Sequence, residues 1–223
     1  MITAVFRKEF FKIRRLWLMV LLLNLAVCAY LWVTTRRLFI LDHPEVVWYR
    51  VLHLGQIHYD ILRYVPVATG ILVGCIQYLP EMWGERLKLS LHLPMSSHVL
   101  ILIHVWVGLT AVLLALLPDV VVLTWVTAKY FPFQAVVTTW QTVFPWFLAG
   151  IGAYLSTTLI LLEPHYKRKL FNLALGAGYV TLFLMPAEPG SFAHLNLPLI
   201  LPLVCMALSV LLPAFRFRYR RIQ

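Results

Sequence analysis

The 223 residues are 61% hydrophobic and 13% charged, with a mean hydropathy of +0.83 and a formal charge of +10. A soluble domain carries about 25% charged and roughly 45–50% apolar residues, so this composition excludes a soluble globular fold. The positive charge flanks apolar runs, which points to membrane orientation and anionic lipids and away from nucleic acid.

The chain opens with FRKEFFKIRR, in which Phe6, Phe10, Ile13 and Trp17 recur at helical spacing while Lys8, Lys12 and Arg15 fall on another face. The pattern predicts an amphipathic helix over 1–15 lying in the membrane interface. Apolar runs then predict six spans, at about 16–35, 62–80, 98–127, 134–162, 170–186 and 197–214. Pro118 and Pro145 mark expected kinks in the third and fourth. The first run lacks a small-x-small cleavage site and reads as a retained span, not a signal peptide. The 36–61 connection is the only sizeable loop on its side, and a connector over 184–197 is apolar enough to re-enter the membrane.

The cations set the expected orientation. Arg7, Lys8, Lys12, Arg14, Arg15, Arg86, Lys88, Lys167, Arg168, Lys169, Arg216, Arg218, Arg220 and Arg221 fall on one side. Arg36, Arg37, Arg50, Arg63 and Lys129 fall on the other. Cytoplasmic loops carry the excess of Lys and Arg, so both termini are expected in the cytoplasm. The same rule puts the 81–97 connection there, with Pro80 expected to end the second span and Ser96 or Ser97 to cap the third. Read as a helix, this connection has an apolar stripe of Trp83, Leu87 and Leu91, and a polar face of Glu81, Glu85, Lys88 and His92; its alternation over Leu87–Leu93 also fits a strand.

Few residues carry recognisable chemistry. No GxxxxGK[ST], HExxH or GxSxG string occurs. Cys28, Cys75 and Cys205 all fall in predicted spans without metal-ligand spacing, and read as buried thiols. His53, His58 and Asp60 gather in the first outer loop, and His92, His98 and His104 near the opposite face, but their spacings make a poor single-helix metal site. Asn24, Gln77 and Asp119 are the intramembrane polar residues that stand as candidates for a translocation path; Thr124, Gln141, Ser156, Thr157 and Asn172 read first as packing hydrogen bonds. Asp119 is the sharpest case, because a carboxylate at membrane depth is costly.

At this point the chain resembles the membrane subunit of an ABC-2 type ABC transporter. The resemblance is carried by the FRKEFFKIRR opening, by Glu85 and Arg86 followed by Leu87, Leu89 and Leu91, and by LPMS at 93–96; the glycine–threonine pair usual after the acidic residues is absent. It implies an all-α membrane protein in one domain over 1–223, with six spans, an interfacial helix over 1–15 and a short coupling helix between spans two and three. It also implies two partner ATPase subunits that hold ATP and magnesium, a second permease copy or paralogue, and no cofactor or catalysis in this chain. Glu81, Glu85, Arg86, Lys88 and His92 would then meet the ATPase, at the cytoplasmic membrane of a prokaryote, and a hydrophobic or amphiphilic substrate would be exported or relocated. The alternatives are a haem- or metal-handling membrane protein and a scaffold subunit that transports nothing.

Overall fold

The structure is a computed structural model that describes residues 2–83, 96–185, 189–191, 196–213 and 216. Among them all regular structure is helical: α1 (Ile2–Leu41), α2 (Pro44–Leu52), a short 3-10 turn (Asp60–Arg63), α3 (Val65–Met82), α4 (Ser97–Tyr130), α5 (Phe133–Leu162), α6 (Tyr166–Phe183) and α7 (Asn196–Ser209). Among the described residues four segments are long and apolar enough to cross a bilayer: Val5–Leu41, Asp60–Met82, His98–Tyr130 and Phe133–Leu162. The chain is thus a multi-pass helical membrane protein. The fifth and sixth expected spans correspond to α6 and to the shorter apolar stretch Pro198–Pro213, neither of which meets that measure.

The first expectation to change concerns the amino terminus. Residues 2–41 form one uninterrupted helix instead of an interfacial helix followed by a span. The segment contains no proline or glycine, so nothing in it breaks the helical hydrogen-bond ladder. Forty residues at 1.5 Å each reach about 60 Å, roughly twice the hydrocarbon thickness. Pro80 likewise fails to end its helix. It sits inside α3, which runs on to Met82 before Trp83 N–H closes the end on Leu79 O. Ser96 takes the N-cap position of α4 without a side-chain capping bond, and Pro118 and Pro145 lie within continuous helices.

Side-chain contacts fix the relative directions. Asn24 meets Thr69 and Lys12 meets Glu81, so α1 and α3 run antiparallel. Cys28 meets Asp119, Trp17 Nε1–H donates to Ala111 O, and Glu9 faces His104, so α1 and α4 run parallel. One end of the bundle therefore holds the start of α1, the end of α3, the start of α4 and the α5–α6 turn. The opposite end holds α2, the 3-10 turn and the α4–α5 turn, where Trp48 Nε1–H donates to Tyr130 O at 2.9 Å and Phe39 stacks on Tyr130. Arg63 reaches Leu184 O at this end, and Gly190 N–H donates to Thr142 Oγ1 at 3.0 Å. These bonds seat the described part of the 184–197 connector on the bundle's end.

The fourth long helix, α5, is the hub, with 78% of its spanning window buried against 22% for α1. It packs most extensively on α3, and glycine is what brings the two backbones together. A Cβ on Gly70 would stand 2.1 Å from Gly150 O, and one on Gly150 would stand 2.6 Å from Pro66 O. Without a hydrophobic driving force between helices in lipid, this close backbone approach is what supplies packing energy. The main apolar core spans these helices through residues such as Val73, Val105, Val112, Ala149 and Leu155, with Leu203 and Met206 of α7 at its margin.

Candidate functional site

A line of buried polar groups follows the seam where α3 meets α1, α4 and α5. At the end carrying the α1 start it forms an ion cluster. Glu9 and Glu81 are 0% and 2% exposed, and the Lys12 ammonium lies between them, 2.5 Å from Glu9 Oε2 and 3.0 Å from Glu81 Oε1. Lys8 Nζ stands 3.8 Å from the same Glu81 oxygen. Two carboxylates thus face two ammonium groups, which is the condition for keeping charge in a place of low dielectric. Helical spacing explains the local part: Glu9 and Lys12 are neighbours on one face of α1 at i,i+3.

His104 closes the cluster from α4. Its Nδ1 lies 2.8 Å from Leu100 O, a carbonyl that can only accept, so Nδ1 carries a hydrogen. Its Nε2 faces Glu9 Oε1 at 3.4 Å without hydrogen-bond geometry, and both atoms are buried.

Further along the seam, Gln77 is fully buried. Its Nε2 donates to His104 O at 2.7 Å, and its Oε1 accepts from the Tyr154 hydroxyl at 2.9 Å. Gly108 makes room for both groups: a Cβ there would stand 1.9 Å from the Tyr154 hydroxyl and 2.2 Å from Gln77 Oε1. Asn24, also fully buried, donates to Val20 O and to Thr69 Oγ1. Toward the other end the Cys28 thiol donates to Asp119 Oδ1 at 3.1 Å, while Asp119 Oδ2 has no hydrogen-bond partner among the described residues.

The candidate path residues Asn24, Gln77 and Asp119 therefore share one seam, each packed at no more than 1% exposure. Glu81, expected to meet a partner ATPase, has its carboxylate turned into the bundle and held by Lys12. Glu85, Arg86, Lys88 and His92 lie outside the described residues. Among the described residues His53 and His58 do not gather into a metal site. His53 packs on Tyr49, and His58 stacks on Phe131 with ring centroids 4.6 Å apart. Among the described residues no three His, Cys, Asp or Glu side chains are grouped to hold a metal ion. Sequence reasoning missed Glu9 and Lys12 as site residues. The available signal was Glu9 itself, a lone acid inside an otherwise basic opening.

Burial of this kind positions helices. The ion cluster joins the last turn of α3 to α1, and His104 draws α4 onto the same point. The described chain leaves this end at Trp83 and resumes at Ser96, ahead of α4. Among the described residues the seam shows charge neutralisation and hydrogen bonding. In comparisons with known protein families, curated proteins and solved structures, the chain matched none.

Proposed function

We propose that this chain is the membrane subunit of an ATP-driven transporter of the ABC-2 kind, working beside separate ATPase subunits and a second permease copy or paralogue. The end that carries the α1 start is the cytoplasmic end, and α6 and α7 with their flanks complete a six-span plan in a prokaryotic cytoplasmic membrane. The cation asymmetry, fourteen against five in the sequence, supports this orientation.

The observation that carries the reading is the clamp on Glu81. A connection pushed by a closing ATPase pair moves spans only if the helix leading into it is rigidly joined to its neighbours. Glu81 makes that join to α1 through Lys12, and Glu9 extends it to α4 through His104. In this reading Glu85, Arg86, Lys88 and His92 offer the contact surface and Glu81 transmits its displacement. The substrate, hydrophobic or amphiphilic, passes between two permease copies. The chain contains no phosphate-cradling loop, so nucleotide binding falls to the partner.

The test is to purify the tagged full chain from native membranes together with any P-loop ATPase and to measure ATP turnover in vesicles. Turnover is expected to depend on this chain and to fall at least tenfold when Glu85 and Arg86 are both replaced by alanine, with membrane insertion intact. Unchanged turnover in the double variant overturns the contact assignment, and the absence of any co-purifying ATPase activity overturns the transporter reading.

A further inference from the structure

The helices α6 and α7 both pack on α5 but separate from each other at the end that carries the α1 start. Tyr179 O–H donates to Leu199 O at 3.0 Å and ties the two helices together away from that end. The Arg216 guanidinium, 2.8 Å from Glu163 Oε2, ties the chain after α7 to the end of α5. Between these two ties lies a groove of about 540 Å³. Its walls are apolar, formed by Phe171, Leu175, Pro202, Met206 and Leu212, and its mouth is polar, formed by Glu163, Arg168, Asn172 and Arg216. We infer that this groove binds one anionic phospholipid with a hydroxylated headgroup, of the phosphatidylglycerol kind, taken from the adjoining leaflet.

Three observations select that occupant. First, a gap with apolar walls between two helices at membrane depth offers water too few partners, whereas an acyl chain fills it at no cost in hydrogen bonds. Second, Arg168 and Arg216 against Glu163 leave one positive charge at the mouth, which a single phosphodiester neutralises; Lys167 and Lys169 flank Arg168 in the chain and strengthen the attraction to an anionic leaflet. Third, Glu163 is 1% exposed and its Oε1 has no hydrogen-bond partner among the described residues. Glu163 lines the groove, so a headgroup hydroxyl there can donate to its carboxylate. A choline group has no N–H or O–H to offer, and an ethanolamine headgroup would cancel the lipid's net charge and bring an ammonium against Arg216. The bound lipid is a wedge that sets the spacing of α6 and α7; the inference rests on the six-span placement of these helices but needs no ATPase.

Cys205 lines the groove and is exposed, while Cys28 is buried. Replacing Cys75 by alanine leaves Cys205 as the accessible thiol for a bimane label. The labelled full chain is placed in nanodiscs that contain, at equal mole fraction, spin-labelled phosphatidylglycerol, phosphatidylcholine or phosphatidylethanolamine. Quenching by phosphatidylglycerol is expected to exceed quenching by the other two at least fivefold in apparent affinity. Arg168→Gln, an exposed change, is expected to reduce that preference roughly fivefold, the contribution of one arginine near an anionic surface. The paired change Glu163→Gln with Arg216→Gln, which leaves no lone buried charge, is expected to remove most of the remainder. Equal quenching by all three lipids reduces the groove to ordinary lipid contact and overturns the inference. So does protection of Cys205 from every lipid that disappears in discs holding a single copy, because a second copy would then be the occupant.

Discussion

Lys12 of α1 and Glu81 of α3 lie 3.0 Å apart across 69 positions of chain, and Lys12 bonds Glu9 at the same time. Lys12 therefore bridges two carboxylates that are both out of reach of solvent, and Lys8 stands 3.8 Å from the same Glu81 oxygen. Replacing Lys12 by methionine keeps the volume and removes the ammonium that bonds both buried carboxylates. Breaking a buried pair in this way costs about 3–5 kcal/mol. We expect Lys12→Met to lower the melting temperature in detergent by on the order of 10 °C, and the triple change Glu9→Gln, Lys12→Met, Glu81→Gln to recover most of it. A single variant as stable as the parent would show that Lys8 alone neutralises the cluster.

Two glycines of the bundle separate close packing from idle flexibility. Gly70→Ala forces a methyl into the Gly150 carbonyl, where backbone must move. Gly178 has nothing within 4 Å of the position a Cβ would take. Gly70→Ala is expected to abolish or strongly reduce folded yield. Gly178→Ala is expected to be neutral or to stabilise by up to about 1 kcal/mol, the helix preference of alanine over glycine. Melting curves of the two proteins, purified side by side, check the contrast.

His58 lies outside the spanning segments, with neither ring nitrogen hydrogen-bonded among the described residues. Its burial holds it down at about 4, below the usual 6.5. The unfolded chain thus takes up this proton first as pH falls, so His58 removes stability between about 6.5 and 4 and nothing further below that. The full effect is about 3 kcal/mol. A phenylalanine keeps the stack on Phe131 without the titration. His58→Phe is expected to lose less stability than the parent between pH 7 and pH 4, and parallel melting profiles would refute the assignment.

Trp83 and Leu54 stand at opposite ends of the bundle, 86% and 66% exposed. With cysteine placed at each in turn, a membrane-impermeant maleimide on intact cells is expected to label position 54 and to reach position 83 only after lysis. The reverse pattern would invert the proposed orientation and remove the ATPase from the 84–95 connection.

Hydropathy located α4 and α5 within a few residues, because long runs without charge have only one stable state in a bilayer. It misjudged α1 because cations at helical spacing look the same whether they face a headgroup layer or a buried acid. The difference is Glu81, whose position in the fold is set by the antiparallel pairing of α1 with α3 and not by any local pattern. The polar seam was half readable. Asn24, Gln77 and Asp119 are conspicuous in apolar runs, yet their partners Thr69, Tyr154 and Cys28 look ordinary in sequence and acquire meaning only through long-range packing.

A helix resists stretching far more than it resists tilting, and α1 is one helix from the charge cluster to the aromatic contacts of Phe39 with Tyr130 and Phe131. Any shift of Glu9 and Lys12 against α3 is therefore carried to the far face as a swing of residues 36–41. The two surfaces of the membrane are joined by a stiff rod, and motion begun at one has to surface at the other.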